Sequence, residues 1–396
     1  MASVSLDGLK TSIISNVLQS DAKEEVFLPF VPSINTITSN TSNDGNVVTV
    51  TPTTQFAAST TVTIEVPKYG LWDACAFEAD VAGANPAILD ANDNGAGTQH
   101  GAYAAIEFVE LRSQGKKLLS WSGRGMSSIL QNYLSKTQYQ AVANMSGNGT
   151  KTKSLWVVPL PAMFDKKLAL NTVLLDRMEL VIRFAADGAN TARAPNATGS
   201  AVHFWYRQVD PETDAAIRAE VYSKGNRSML MFDCQSYGVV GYDNSNKART
   251  NLTSQKLVRC HYVDEYTSSA NFAARNYLTA VAAQTAHTDS VLISAGGRAI
   301  YQSSKVNAVL NHVILGREIN NTRSLCIDYR NGILKGSSSD YSSGLALRHL
   351  PNPTLEINGI ASGGAQATAQ MQVHEEAYVL VGLDALSGRI SVTAEN

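Results

Sequence analysis

The sequence is short of cysteine, of charge and of long apolar runs, and each shortage closes off a class of protein. Only four cysteines, Cys75, Cys234, Cys260 and Cys326, are spread over 396 residues, and none forms a CxxC pair. That spacing offers neither a zinc framework nor a disulfide scaffold. Each cysteine therefore reads as a small buried hydrophobe, in keeping with a reducing compartment. No stretch of about 18 apolar residues occurs and no leader-like segment opens the sequence, so no part of it is read as crossing a membrane. Lysine and arginine form no block at either end, and the net charge is -2 with a pI near 6.4. Packaging nucleic acid by direct charge neutralisation calls for a basic arm, so direct nucleic-acid binding is not expected.

Catalytic signatures are missing as well. His374-Glu375-Glu376 lacks the second histidine of a HExxH zinc motif and precedes apolar strand-like residues, so it reads as a solvated strand start. Gly296-Gly297-Arg298 lacks the Lys-Ser/Thr ending of a phosphate-binding loop and reads as a hairpin turn. No GxSxG elbow occurs, and the seven histidines are scattered. Asp73 and Glu78 are the kind of carboxylate pair a glycosidase cleft uses, but sequence alone does not bring them together. Asp90, Asp93 and Gly95 miss the EF-hand spacing. No catalytic, cofactor-binding or metal-binding residue is assigned, no cofactor is expected, and the chain is read as not an enzyme. Asn-x-Ser/Thr sequons at Asn40, Asn144, Asn148, Asn196, Asn226, Asn251 and Asn320 are what chance supplies in an Asn- and Thr-rich chain.

What is present points to β-sandwiches. A length of 396 residues exceeds one ordinary core, and 44% hydrophobic residues can build two. Charged residues make up 17%, below the roughly 25% of typical soluble domains. Small polar residues fill the gap, as turn-rich β proteins and surfaces buried against further copies both require. The chain is organised around Leu155 to Phe184. The run Leu155-Trp156-Val157-Val158 is too short for a helix and is closed by Pro159 and Pro161, so it predicts a buried strand that ends where proline removes the N–H donor. After Phe164 and a polar loop, Met178, Leu180, Ile182 and Phe184 alternate with Glu179, Val181 and Arg183, a strand with one face in a core.

Before that stretch, residues 6 to 19 space Leu6, Leu9, Ile13, Ile14, Val17 and Leu18 as an amphipathic helix, docked on its own sandwich or packed as an arm on a neighbour. Strands follow through Val62–Val66, Leu71–Val81 and Ile106–Leu119, with a long polar loop at 82–103. Met126, Ile129, Leu130 and Tyr133 then sit at helical spacing. After a second polar loop at 185–200 comes a strand at Val202–Tyr206. Asp210-Pro211-Glu212 opens a helix that Gly225 ends. The second half repeats the plan. Ser113-Gln114-Gly115-Lys116-Lys117-Leu118-Leu119 has an echo in Ser294-Ala295-Gly296-Gly297-Arg298-Ala299-Ile300, each after a strand, which supports two copies of one fold.

A strand ending in Pro-Leu-Pro-x-x-Phe, a leucine-rich crossing and a return strand resemble the first jelly roll of the double jelly-roll major capsid proteins of large DNA viruses, virophages and polinton-like viruses. The strand ending Val109-Glu110-Leu111 with its Gly turn also resembles that family. So do Ser343 to Ile357 and the closing run Tyr378 to Leu383 with Gly388, Arg389 and Ile390. The likeness covers roughly residues 60 to 396 in order; the segment before it departs from the large-virus pattern, and the chain is short for that branch.

The resemblance implies an all-β fold of two tandem eight-stranded jelly rolls, with short helices in loops and the N-terminal amphipathic helix. Its divisions are an arm at 1–25, a first jelly roll at 26–208, a helical linker at 209–225 and a second jelly roll at 226–396. It further implies a structural capsid protein forming homotrimers of pseudo-hexagonal outline that tile an icosahedral shell. The partners would be neighbouring capsomers, penton and minor capsid proteins and an internal membrane beneath the shell, and the location the virion. The loops at 82–103 and 185–200 would supply outer towers and trimer contacts. Two other readings stand beside it. A single-jelly-roll capsid protein with a projecting domain predicts a basic arm. A carbohydrate-binding or carbohydrate-cleaving sandwich predicts aromatic residues clustered on one face, whereas Trp72, Trp121, Trp156 and Trp205 are dispersed.

Overall fold

The computed structural model describes residues 46–80, 105–134, 153–164, 169–185, 199–207, 227–266, 288–304, 324–329, 344–359, 370–384 and 387–392, with single positions at 103, 138, 215, 219, 306, 307 and 310. The expected N-terminal arm lies outside the described residues, as do nearly all of the two long loops and of the linker at 209–225.

The first unit runs β1 (Asn46–Val50), β2 (Thr61–Glu65), β3 (Leu71–Asp80), β4 (Ile106–Ser113), β5 (Lys116–Ser122), α1 (Gly123–Tyr133), β6 (Lys153–Val158), α2 (Pro161–Phe164), β7 (Leu170–Asn171), β8 (Met178–Phe184) and β9 (Ala201–Arg207). The second runs β10 (Arg227–Ser236), β11 (Val240–Gly241), β12 (Lys247–Asn251), β13 (Leu257–Tyr266), β14 (Thr288–Ala295), β15 (Arg298–Ser304), β16 (Ser324–Asp328), β17 (Leu345–Ala346), β18 (Thr354–Gly359), β19 (Gln370–Asp384) and β20 (Arg389–Val392).

The pairing order is the same in both units. The first has β1-β9-β3-β6 facing β2-β8-β4-β5, and the second has β10-β19-β13-β16 facing β12-β18-β14-β15. With the short strands set aside, each unit wraps a hairpin of strands around a sandwich, which is the jelly-roll path. The two units share a sheet: β5 meets β10 in parallel at Trp121 and Cys234, so strands of both belong to one 11-stranded sheet.

Local sequence explains the elements. In β2 the pattern alternates strictly, with Val62 and Ile64 inward. β6 ends at Val158, one residue before Pro159, and α2 begins at Pro161, where a missing N–H costs a helix nothing. Met178, Leu180, Ile182 and Phe184 are all buried, as their alternation predicts. Trp72, Trp121 and Trp156 are wholly buried, and Trp156 stacks on Phe77 with ring centres 5.3 Å apart. Burying each such side chain contributes about 1.5–3 kcal/mol.

Two irregularities recur at matching positions and fix the correspondence between the units. The β4–β5 and β14–β15 hairpins each turn on two residues of positive φ, Gln114-Gly115 and Gly296-Gly297, the conformation of a type I′ turn. Each hairpin also shifts register just before its turn, between Leu111 and Arg112 and between Ile293 and Ser294. The sequence echo therefore lies in the right hairpins but is one residue out of step, because Gly115 matches Gly297 rather than Gly296. The second irregularity is a bulge that inserts Asp73 into β3 opposite β9 and Arg259 into β13 opposite β19.

One core fills the first unit and continues into the second through Met231, Phe232, Cys260, Tyr262, Val379, Val381 and Leu383. A separate core, including Val258, Ile293, Leu355, Ile357 and Val373, fills the second. The β10-β19-β13 sheet is thus covered on both faces, and β19 is buried along most of its length.

Candidate functional site at the joint of the two sandwiches

A cluster of buried polar side chains lies where α1 of the first unit packs on β10 and β19 of the second. The helix forms as its spacing predicts, burying Met126, Ile129 and Leu130. Ser122 caps it, accepting a hydrogen bond from the Gly125 N–H at 3.1 Å. Gly125 lets the helix approach closely, since a Cβ there would lie 2.6 Å from Cys234 Sγ.

The bulge turns Arg259 into this joint, where it is 1% exposed. Its Nη1 lies 2.8 Å from Glu376 Oε1, and its Nη2 donates to Tyr133 Oη at 2.6 Å. The guanidinium sits 4.4 Å from the Phe232 ring centre and 5.1 Å from that of Tyr378. Tyr133 also donates to Glu376 Oε1 at 3.0 Å, and Tyr262 donates to Glu376 Oε2 in a short hydrogen bond. Burial, the largest influence, would lower the Arg259 pKa, but Glu376 together with Tyr133, Tyr378 and Cys260 outweighs it and holds the pKa well above the usual value. Burial, reinforced by Glu376, pushes the Tyr262 hydroxyl up.

Beside this pair runs a hydroxyl–imidazole–carboxylate relay. Ser236 Oγ donates to Ser122 Oγ at 2.6 Å and lies 2.6 Å from His374 Nδ1, and His374 Nε2 lies 2.5 Å from Asp264 Oδ2. The residue types are those of a nucleophilic triad, but the imidazole is reversed, with Nε2 on the carboxylate. His374 and Asp264 are wholly buried, and the serine oxygen is engaged by the helix cap. The relay joins β10, β19 and β13 of the second unit, and its serine ties them to the cap of α1 in the first. On the opposite face of β19, Glu375 accepts from Tyr237 at 2.6 Å and lies 3.0 Å from His261. Burial raises the Glu375 pKa, yet the hydrogen bond and charge of His261 and hydrogen bonds from Ser254 and Tyr237 together bring it below the usual value. Glu375 and Tyr237 border a polar cleft of about 230 Å³, where Lys256 meets Asp233 at 2.7 Å. Burial raises the Asp233 carboxyl despite that partner.

His374-Glu375-Glu376 is therefore no solvated strand start. It lies in the middle of β19, and each of its three side chains is buried because β13 supplies a partner: Asp264, His261 and Arg259. The one signal in the sequence was the run from Met371 to Leu383, apolar on both sides of the three polar residues. Gly296-Gly297-Arg298 is the expected hairpin turn. Asp73 and Glu78 line no common cleft: Asp73 pairs with Arg207 at 2.7 Å and Glu78 faces His203 at 3.7 Å. All four cysteines are buried thiols, as expected. Burial raises the thiol pKa of Cys75 and Cys234. Asp90, Asp93 and Gly95 lie outside the described residues, and no group of metal-ligating side chains forms among the described ones.

No protein-family model and no curated protein sequence matches the chain. Solved structures do. PBCV-1 VP54, as fitted into a reconstruction of the virophage Sputnik, aligns with TM-score 0.65 and 11% identity over 90% of this chain and 98% of that one. The Faustovirus major capsid protein aligns at TM-score 0.56 and 10% identity over 96% and 98% of the two chains. A chain of the Sputnik virophage aligns at 0.52 and 10%, over 89% of each. The likeness is one of fold, and the fold is that of the double jelly-roll major capsid proteins.

Proposed function

We propose that the chain is a structural major capsid protein. The observation that carries this reading is the fastening of two equivalent jelly rolls into one body by a shared sheet, a shared core and a sealed polar joint. A fixed angle between two similar sandwiches is what a tile requires and what an enzyme or a hinged binding protein does not. Three chains with two sandwiches each present six near-equivalent edges, so a homotrimer of pseudo-hexagonal outline can tile the facet of an icosahedral shell. The partners are then neighbouring capsomers, with penton and minor capsid proteins at the vertices and seams and an internal membrane beneath the shell, and the place is the virion. No catalysis and no direct nucleic-acid binding belong to this role. We propose the division 26–208, 209–225 and 226–396 for the two rolls and their linker, because the strand order restarts between β9 and β10.

A carbohydrate-binding sandwich would carry exposed aromatic residues on one face, but Trp72, Trp121 and Trp156 are spent on the core. The test is the mass of the purified protein in solution. A stable trimer near three times 42.4 kDa, with shells or facets on imaging, is the expected result. A monomer at high concentration would sink the reading.

A further inference from the structure

The fastening at the joint is present twice in the chain, and the second copy lies open. Matching the bulges of β3 and β13 places Asp73 on Arg259 and Glu78 on Asp264. The pairings with β9 and β19 then place His203 on His374, and those with β1 and β10 place Thr49 on Ser236 and Val47 on Cys234. The relay follows residue for residue. Thr49 Oγ1 lies 3.0 Å from His203 Nδ1, and His203 Nε2 lies 3.7 Å from Glu78 Oε2, the same ring nitrogens in the same order as at the joint. The bulge again carries an ion pair, here part-buried, Asp73 with Arg207.

The other half of the joint is duplicated too. Matching the two hairpins places Trp121 on Ser303, Ser122 on Ser304 and Gly125 on Asn307. Ser304 Oγ accepts from the Asn307 N–H at 3.2 Å, the cap that Ser122 makes for α1, and residues 306, 307 and 310 are helical. Each half is covered within the chain and uncovered in its duplicate. Leu118 is 3% exposed but its match Ile300 is 42% exposed; Cys234 is fully buried but Val47 is 47% exposed. Val306 and Leu310 stand 66% and 49% exposed beyond Ser304.

We infer that a second copy of this chain completes the open pair. The outer face of β1, β9 and β3 in one copy seats on β15 and the helical positions 306, 307 and 310 beyond it in the next. Val47 then lies alongside Ser303 as Cys234 lies alongside Trp121, and the Thr49 hydroxyl meets the Ser304 hydroxyl as Ser236 meets Ser122. The two surfaces differ, so the contact is heterologous: it runs head to tail and closes into a ring only if the rotation per copy allows. That the ring holds three copies rests on the capsomer reading; the docking surfaces rest on the duplicated joint.

Complementation of full-length variants tests this. Val306→Asp/Leu310→Asp spoils one surface and Val47→Asp the other, all at exposed positions, with circular-dichroism melting as the check on folding. Under conditions where the unaltered protein assembles, each variant alone should fall to the 42.4 kDa monomer, with association weakened at least tenfold. A 1:1 mixture should form a two-chain species and stop there, since only one intact surface of each kind remains. If either folded variant assembles like the unaltered protein, or the mixture stays monomeric, the docking surfaces are wrong while the capsomer reading stands. If the unaltered protein never assembles, both fall.

Discussion

At the scale of single residues, the joint concentrates charge where water cannot reach it. Glu376 is wholly buried and is held by Arg259, Tyr133 and Tyr262. Removing one member of such a pair strands the other, at a cost of about 3–5 kcal/mol. Glu376→Ala should therefore lower the denaturation free energy by that order, and Arg259→Met combined with Glu376→Leu should recover most of it; urea titration of both variants checks this. Glu375 supplies a pH dependence. Its folded pKa lies below its ordinary value of about 4.3, so its contribution is full above that value and is lost as pH falls through the folded one. Glu375→Gln should be less stable near neutrality, and the gap in Tm to the unaltered protein should close as pH falls below the ordinary carboxylate range.

At the scale of elements, the same serine ends a strand, starts a helix and bonds across the joint. Ser122→Ala removes both the cap and the acceptor for Ser236, and should cost about 1–2 kcal/mol, whereas Ser304→Ala in the monomer removes only a cap. Gly125→Ala should be worse than Ser122→Ala despite the better helix propensity of alanine, because its methyl has no room against Cys234; thermal melting of the three variants orders them. Strands and hairpins of this kind were legible in the sequence, since alternation, proline stops and Gly turns are local signals. The helix spacing of Met126, Ile129 and Leu130 was legible for the same reason. The joint was not. His374, Glu375 and Glu376 find partners on β13 more than 100 residues away, and the bulge that aims Arg259 inward leaves no mark on the sequence around it. The hairpin echo is one residue out of step because Gly296 and Gly297 are equivalent in the sequence, and only the pairing of the flanking Ala295 with Arg298 fixes their places in the turn.

At the scale of the whole molecule, the two sandwiches are topological copies but not independent bodies. The core of the first unit includes Met231, Phe232, Cys260, Tyr262 and Val379 of the second, and the C-terminal hairpin returns across it, with Asp176 N–H donating to the Gly388 carbonyl at 2.7 Å. Separating the units would expose that apolar surface together with the Arg259–Glu376 pair, so an intermediate with one unit folded gains little over full unfolding. Calorimetry should accordingly record one transition with matching calorimetric and van't Hoff enthalpies, although chains of this length commonly melt domain by domain. Two resolved transitions would mean that the joint is weaker than its burial implies. The joint differs from the proposed contacts between copies. The surfaces proposed to meet carry exposed Val47, Ile300, Val306 and Leu310, and their Asp73–Arg207 pair is already made within the chain, so the proposed association draws on apolar burial, which salt does not screen. Raising sodium chloride from about 0.05 to about 0.5 M should leave the assembled fraction unchanged or slightly raised, as sedimentation would measure. A steep loss of assembly with salt would place ion pairs, not these side chains, at the contact.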